Sequence, residues 1–358
     1  MYKIKKIISI ILTVIMAVPI NIWINSFSTS AQTYEIEFKE IATLTRRKNS
    51  YIWYIDKEGF AYYMSRDNKS AFIYTLDSKN KNIKNIFRFV DENGKGISVM
   101  DPVIKQCDEY IYLNYITDGK SKSKICRFVQ LDKKLNIIAQ YDIPKVLEAD
   151  TNGKKVVYIK GRKTIYISEM NGKNKKKLYT VGKGNDLSWI NGVAINDRYV
   201  GFVGGKRYDN ESKEYCGVID LKNGETKLFE TEQGVMYAKS QNNEILWYGS
   251  FAKGNVYFDS QYLYTYDGSN FNALQIDKGV IMSNCTVDYD GRIFVCKNSG
   301  KGTLNIKIYK DSQLVGEYNS YGKPHQSGYF ANGGVIMVGY SQNENANEPS
   351  HYLVVSYS

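Results

Sequence analysis

The residues of this chain with the means to do chemistry are few and lie far apart. Its two histidines are His325 and His351. His325 sits in Tyr321-Gly-Lys-Pro-His-Gln-Ser327, a loop-forming stretch from which an imidazole could act as general acid or base. The plainer reading of a single loop histidine is an exposed polar residue. His351 opens an apolar run and reads as structural. Asp101, Glu148, Asp186 and Asp288 stand in separate segments, and carboxylates that converge in pairs are the acids and nucleophiles of glycan-cleaving enzymes. Sequence alone leaves their convergence open. Glu148-Ala-Asp150-Thr-Asn152-Gly153 imitates the start of a calcium loop. Its first ligand position is Glu and the closing Glu is missing, so a polar turn between repeats is expected instead.

A second constellation suits binding rather than catalysis. Lys206-Arg207-Tyr208, with Trp189, Trp247, Tyr248, Phe251, Tyr257 and Phe258 near it in sequence, is basic and aromatic, as a surface for sugar or peptide would be. Aromatic residues also fill strand faces, so each has a packing role as its alternative. No Gly-rich phosphate loop, paired-His zinc helix or Gly-x-Ser-x-Gly elbow occurs, and neither a metal nor a cofactor is implied. The five cysteines (Cys107, Cys126, Cys216, Cys285 and Cys296) lack CxxC spacing. They read as small buried hydrophobes rather than ligands. The odd count leaves at least one thiol unpaired in a monomer. Cys107 with Cys126, and Cys285 with Cys296, are the pairs within one repeat, where a disulfide is the alternative.

The elements that must position these residues are strands. After the first thirty or so residues, Tyr, Ile, Val, Phe and Thr gather in runs of five to eight, broken by Gly, Asn, Asp and Lys, with no sustained 3.6-residue period. Ile73-Tyr-Thr-Leu-Asp77, Phe128-Val-Gln-Leu-Asp132, Ile167-Ser-Glu-Met-Asn-Gly172, Val218-Ile-Asp-Leu-Lys-Asn-Gly224, Leu263-Tyr-Thr-Tyr-Asp-Gly268 and Ile306-Lys-Ile-Tyr-Lys-Asp311 repeat one pattern. Their spacing, roughly 40 to 55 residues, is that of four-stranded propeller blades. Asn171-Gly172, Asn223-Gly224 and Asp267-Gly268 are expected to join third to fourth strands as type I′ turns, whose central residues both need positive φ. Second strands are expected from Phe60, Tyr110, Lys155, Tyr199, Ile245 and Ile293, and first strands near Tyr51, Ser98, Lys145, Ser188, Val235 and Val280.

A seventh unit runs from Tyr329 to Tyr357 and is one strand short. The alternating segment Glu35 to Thr43 can supply that strand and close the ring, which removes exposed sheet edges. The fold class is therefore all-β, a seven-bladed β-propeller over residues 32–358, with six blades as the alternative. Loops on one face, between second and third strands and between blades, are where ligand sites collect. The longest are expected at Asn114 to Lys124, Gly204 to Glu214, Ser250 to Gln261 and Ser341 to Ser350. The Lys173 to Lys177 run falls on the other face as a solvated turn.

The segment from Thr164 to Leu178, Thr-Ile-Tyr-Ile-Ser-Glu-Met-Asn-Gly-Lys-Asn-Lys-Lys-Lys-Leu, resembles the repeat of TolB-like and related WD40-like extracellular bacterial propellers. Val218 to Phe229 echoes it, and Leu263 to Leu274 does so more loosely. The resemblance implies the fold and a binding platform, and it brings no catalytic residues with it. Ser65-Arg-Asp-Asn-Lys-Ser-Ala-Phe72 resembles a sialidase Asp box with Lys69 where glycine belongs.

The first residues, Met-Tyr-Lys-Ile-Lys-Lys, precede an apolar run from Ile7 to Ile24 and the small-residue site Thr29-Ser30-Ala31. That is the form of a signal peptide spanning residues 1–31, and a retained membrane anchor at the cell surface is the alternative. The formal charge of +11 would fall to +8 on loss of Lys3, Lys5 and Lys6. A basic exported chain favours anionic cell-wall or headgroup surfaces, although a Lys- and Asn-rich composition also follows from a low-GC genome. Nucleic acid is not expected as a partner, and a monomer is. The function these features suggest is a secreted or cell-surface binding module for carbohydrate, peptide or protein. The alternative is an extracellular polysaccharide hydrolase or lyase with carboxylates at the channel mouth.

Overall fold

The computed structural model describes residues 36–358 apart from 46–49, 56–60, 67–70, 77–82, 92, 100–102, 119–123, 145, 183–186, 209–210, 232–236, 242–243, 249, 254–255, 260–261, 276–284, 288–291, 299–303, 312, 321–328, 333–334 and 341–350. The apolar segment Ile7 to Ile24 and the expected cleavage site lie outside the described residues.

The chain begins with β1 (Phe38–Thr45) and then lays down blades in order. Blade 1 is β2 (Ser50–Ile55), β3 (Ala61–Arg66), β4 (Ala71–Leu76) and β5 (Ile83–Arg88). Blade 2 is β6 (Val103–Cys107), β7 (Tyr110–Asp118), β8 (Lys124–Leu131) and β9 (Ile137–Pro144). Blade 3 is β10 (Val146–Thr151), β11 (Lys155–Lys160), β12 (Thr164–Glu169) and β13 (Lys176–Thr180). Blade 4 is β14 (Trp189–Ile195), β15 (Tyr199–Tyr208), β16 (Glu211–Asp220) and β17 (Thr226–Glu230). Blade 5 holds β18 (Tyr237–Gln241) and β19 (Glu244–Tyr248), then a separate hairpin of β20 (Ser250–Lys253) and β21 (Val256–Asp259), then β22 (Tyr262–Tyr266) and β23 (Phe271–Gln275). Blade 6 is β24 (Cys285–Val287), β25 (Ile293–Asn298), β26 (Leu304–Lys310) and β27 (Gln313–Ser320). Blade 7 joins β28 (Tyr329–Asn332), β29 (Val335–Tyr340) and β30 (His351–Tyr357) to β1 as its outer strand.

The ring therefore has seven blades, not the alternative six, and the N-terminal strand closes it. Phe38 pairs with Tyr357 and Thr45 with His351. Ile36 runs ahead of that strand, donating its N–H to the Val315 carbonyl at 3.1 Å and packing into the core shared by blades 6 and 7. The Tyr318 hydroxyl donates to Glu40 at 2.8 Å.

Middle strands read as unbroken apolar runs because each blade is packed on both faces. In Val156-Val-Tyr-Ile159, Val156 and Tyr158 join the cluster toward blade 2, while Val157 and Ile159 join the one toward blade 4. Phe202 and Val200 face blade 3, and Val203 and Tyr199 face Trp247 and Ile245 of blade 5. A fully buried side chain of this size contributes about 1.5–3 kcal/mol. These radial seams, rather than one central core, hold the ring. Glycine appears where an aromatic needs the space: a Cβ on Gly217 would sit 2.2 Å from the Phe202 ring.

Several expectations need correction. The first strand of blade 2 starts at Val103, not near Ser98, because residues 89–99 fold back on blade 1: Ile97 accepts from Ala71 and donates to Phe89, and Phe89 and Val99 enter that core. Arg127 ties this strap to blade 2 with a two-pronged bond to Asp142 (2.7 and 2.8 Å) and donations to the Val90 and Asp91 carbonyls. The Asn-Gly turns join third to fourth strands but are not type I′. Gly172 and Gly224 have φ +77 while Asn171 and Asn223 remain in ordinary space, and the asparagine side chains accept from backbone N–H groups two residues on. The type I′ geometry falls instead at Gly161-Arg162 (φ +61 and +53), between β11 and β12. Cys107 and Cys126 are free thiols, as is Cys216.

Candidate functional site

First strands of successive blades meet one another around the axis, and their ends assemble a polar cluster. Lys105, Asp150, Ile195 and Ser240 come from β6, β10, β14 and β18, spaced 45 residues apart. The Lys105 ammonium donates to both Asp150 oxygens at 3.1 and 2.9 Å, to Ser240 Oγ at 3.1 Å and to the Ile195 carbonyl at 3.4 Å. Asp150 also accepts the Ile195 N–H at 2.9 Å, and Ser240 donates to the Ile195 carbonyl. Side-chain exposure is 17% for Lys105 and 12% for Asp150. One lysine thus spans four blades near the end of the channel where first and second strands turn, hereafter the turn face.

A serine beside a lysine and a carboxylate invites comparison with a nucleophile and its base. The hydrogen bonds oppose that role. The lysine's donors are spent on Asp150, Ser240 and Ile195, and the serine hydroxyl lies closest to the Ile195 carbonyl, with Asp150 Oδ2 a more distant acceptor at 3.3 Å. The cluster is a lock between blades. Just behind it Thr151 and Asn196 secure the first turns: Thr151 Oγ1 donates to the Lys155 carbonyl, and Asn196 Oδ1 accepts from Arg198 and Tyr199. The expected inter-repeat turn at Asn152-Gly153 lies inside blade 3, between β10 and β11, because Glu148 to Thr151 are strand.

Two residues toward the opposite face, on the same sides of their strands, Val103 stands above Lys105 and Glu148 above Asp150. Both are exposed, Val103 at 49%. Burial by the surrounding protein pushes the Glu148 carboxyl above the ordinary carboxylate range, and the Arg162 guanidinium offsets part of that. Burial likewise pushes the Cys107 thiol up to about 11 and Cys126 to about 12, so neither is a thiolate nucleophile at neutral pH.

The face opposite the turns carries the predicted binding residues, but as hairpins rather than loops. In blade 4 the pairs Lys206↔Lys213, Arg207↔Ser212 and Tyr208↔Glu211 continue past the last partners of β14 (Trp189↔Gly205) and β17 (Tyr215↔Glu230). That arm projects beyond its sheet. In blade 5, β20 and β21 pair only with each other, after β19 has ended at Tyr248. Asn114 to Asp118 is likewise strand. This is the hairpin face.

Lys206 is half-buried and Arg207 exposed. The Arg207 N–H donates to Ser188 Oγ at 3.2 Å. Trp189 is half-buried against Gly205, where a Cβ would meet its indole at 2.2 Å. Arg207 follows Gly205 by two residues and so shares its side of β15, toward blade 5. Trp247 has no exposed surface: it fills the seam between blades 4 and 5 and donates to the Phe202 carbonyl at 3.1 Å. Tyr208, Tyr248 and Tyr257 lie on the two hairpins or at their base by backbone position. Asp101, Asp186, Asp288 and His325 lie outside the described residues, as does the 341–350 stretch. No group of metal-ligating side chains occurs among the described residues. Sequence reading missed Lys105 and Ser240, whose signal was the 45-residue interval and not any local motif.

No protein-family model matches the chain, and no curated protein matches it. Among solved structures it is similar to an acylaminoacyl peptidase from Pyrococcus horikoshii, with 15% identity over 68% of this chain and 42% of that one (TM-score 0.47). The chain thus spans about two fifths of that enzyme's length. The β-propeller domain of the trilobed protease from Pyrococcus furiosus gives 15% identity over 68% and 78% (TM-score 0.46). An oligogalacturonate lyase from Vibrio parahaemolyticus gives 10% over 87% and 82% (TM-score 0.46). Likeness at this level concerns the ring and assigns no chemistry to the chain.

Proposed function

We propose that this propeller is an exported binding module that presents its hairpin face to a carbohydrate, peptide or protein. The observation that carries the reading is the pair of hairpins on neighbouring blades, β15 with β16 and β20 with β21, which extend past the four-stranded pairing of their blades on one face. A rigid ring is a suitable scaffold for such extensions. The axial carboxylate Asp150 is saturated by Lys105 and the Ile195 N–H, which leaves it without the freedom of a general acid or base. Arg207, Lys206 and the half-buried Trp189 border the same face and suit sugar or peptide contacts.

Two experiments test this. Glycan and peptide arrays probed with the intact chain should show retained ligand without cleavage, and release of shortened products would overturn the reading in favour of a hydrolase or lyase. Fractionated cells should yield a species beginning at Gln32 in the medium, whereas a full-length species in the membrane fraction would place an anchored protein at the surface instead.

A further inference from the structure

Four of the six exposed large hydrophobic side chains among the described residues lie on two neighbouring outer strands, and the topology sets them near one face. Antiparallel pairing returns each third-to-fourth connection to the turn face, so β5, β9 and β13, the outer strands of blades 1, 2 and 3, all start there. β5 opens with Ile83 at 47% exposure, and Ile86, three residues on, is exposed as well. β9 opens with Ile137 and Ile138, 55% and 52% exposed. Ile138 is the extra residue of a bulge, between the partners of Gln130 and Leu131, which breaks the pleat and turns two consecutive aliphatic side chains to water. Lysines flank them: Lys84 on β5, Lys134 in the β8–β9 turn, and Lys173, Lys175, Lys176 and Lys177 around the β12–β13 turn are all exposed. The acidic groups in these two turns are engaged locally. Asp132 accepts from the N–H groups of Lys134 and Asn136, and Glu169 accepts from the Asn174 side chain.

We infer that the turn-face ends of blades 1 to 3 form a docking surface for a lipid bilayer with anionic headgroups, in which Ile83, Ile137 and Ile138 enter the interface and the lysines meet lipid phosphates. The inference goes beyond the hairpin-face reading and does not depend on it; the hairpins would point away from the bilayer. Blade 3 shows how an outer strand is kept in water. Where β9 begins with Ile137-Ile138, β13 begins with Lys176-Lys177, and edge lysines are the usual protection of such strands. Blades 1 and 2 forgo that protection at their isoleucines. Exposed aliphatic groups are stabilised by an apolar phase and the lysines beside them by negative charge, and an anionic bilayer supplies both at one boundary. A soluble polyanion would satisfy the lysines and do nothing for the isoleucines. A second copy of the chain, packed patch to patch, would cover the isoleucines but set lysine against lysine.

The test is hydrogen exchange of the intact chain with vesicles of phosphatidylcholine alone and of equal parts phosphatidylcholine and phosphatidylglycerol, a readout that tells contact at this surface from binding through the N-terminal apolar segment. Slowed exchange around Asn136 to Ile138 and Lys173 to Lys177 with the mixed vesicles, and none there with phosphatidylcholine, is expected. Ile137→Ser combined with Ile138→Ser should raise the lipid concentration for half-protection about tenfold or more, through lost apolar burial. Lys173→Gln and Lys177→Gln should raise it about fivefold each, and Gln140→Lys, at an exposed position of β9, should lower it; this gain keeps the test sound should a loss variant perturb folding. Equal protection by phosphatidylcholine, an isoleucine variant that binds as the parent does, or the same protection by soluble polyphosphate would each overturn the inference. So would a lipid-free dimer that the isoleucine variant abolishes. Replacing Ser250–Asp259, the second hairpin of blade 5, should leave protection by vesicles unchanged, so this inference and the hairpin-face reading fail separately.

Discussion

Lys105 is a charged residue whose removal the ring should feel strongly. Its ammonium joins side chains and carbonyls from three other blades, and taking away one partner of a buried pair strands the other. Lys105→Met should therefore cost about 3–5 kcal/mol, read as a lower denaturation midpoint. Lys105→Met combined with Asp150→Leu should recover most of it, since neither charge is then left alone. A single-variant cost below about 1 kcal/mol would mean that the seams hold the ring without the lock. Glu148 makes a prediction of opposite sense. Its folded carboxyl titrates above its ordinary value of 4.5, so its contribution to stability is intact below that value and declines as pH rises through the folded midpoint. Glu148→Gln should flatten that decline and leave the chain more stable than the parent at neutral pH. A steeper decline in the variant would contradict the desolvation described here.

Among the elements, the second hairpin of blade 5 is the most separable. β19 pairs directly with β22 (Ile245↔Tyr266 through Trp247↔Tyr264), so the blade does not depend on β20 and β21. Replacing Ser250–Asp259 by a short glycine-rich link should leave the melting temperature within a few degrees of the parent's while abolishing ligand retention. A collapse of the fold would show that the hairpin is structural. The closing strand is not separable in this way. Tyr318→Phe removes the hydroxyl bonded to Glu40 and should cost about 1.5–3 kcal/mol, the usual range for a hydrogen bond to a charged group. Gly316→Val should do more harm, because even a Cβ there would come within 2.9 Å of Ile36 and push out the segment that leads into β1.

At the scale of the whole molecule, the ring was legible because its signals repeat. Asp and Asn at strand ends recur once per blade, and unbroken runs such as Val156 to Ile159 show strands buried on both faces. The missing outer strand of blade 7 pointed to β1 by simple counting. Turn geometry was less legible, because Asn-Gly fits several turn types and the neighbouring strands choose among them; here the side chain of Asn223 caps the backbone at Glu225. The axial lock could not be read locally at all. Lys105 and Ser240 are 135 residues apart and meet only because the blades close into a ring. Aromatic content near Lys206 suggested a surface, yet Trp247 went to a seam, since sequence proximity does not separate the two sides of a strand.

The account's central claim is that ligand meets the hairpin face. Hydrogen exchange of the intact chain, with and without an array-identified ligand, tests it most directly. Slowed exchange confined to the hairpins β15–β16 and β20–β21 and to the β11–β12 turn at Arg162 is the predicted result. Slowed exchange at the turn face, around Asn152 to Lys154 and Asn196 to Arg198, with the hairpins unchanged, would contradict it.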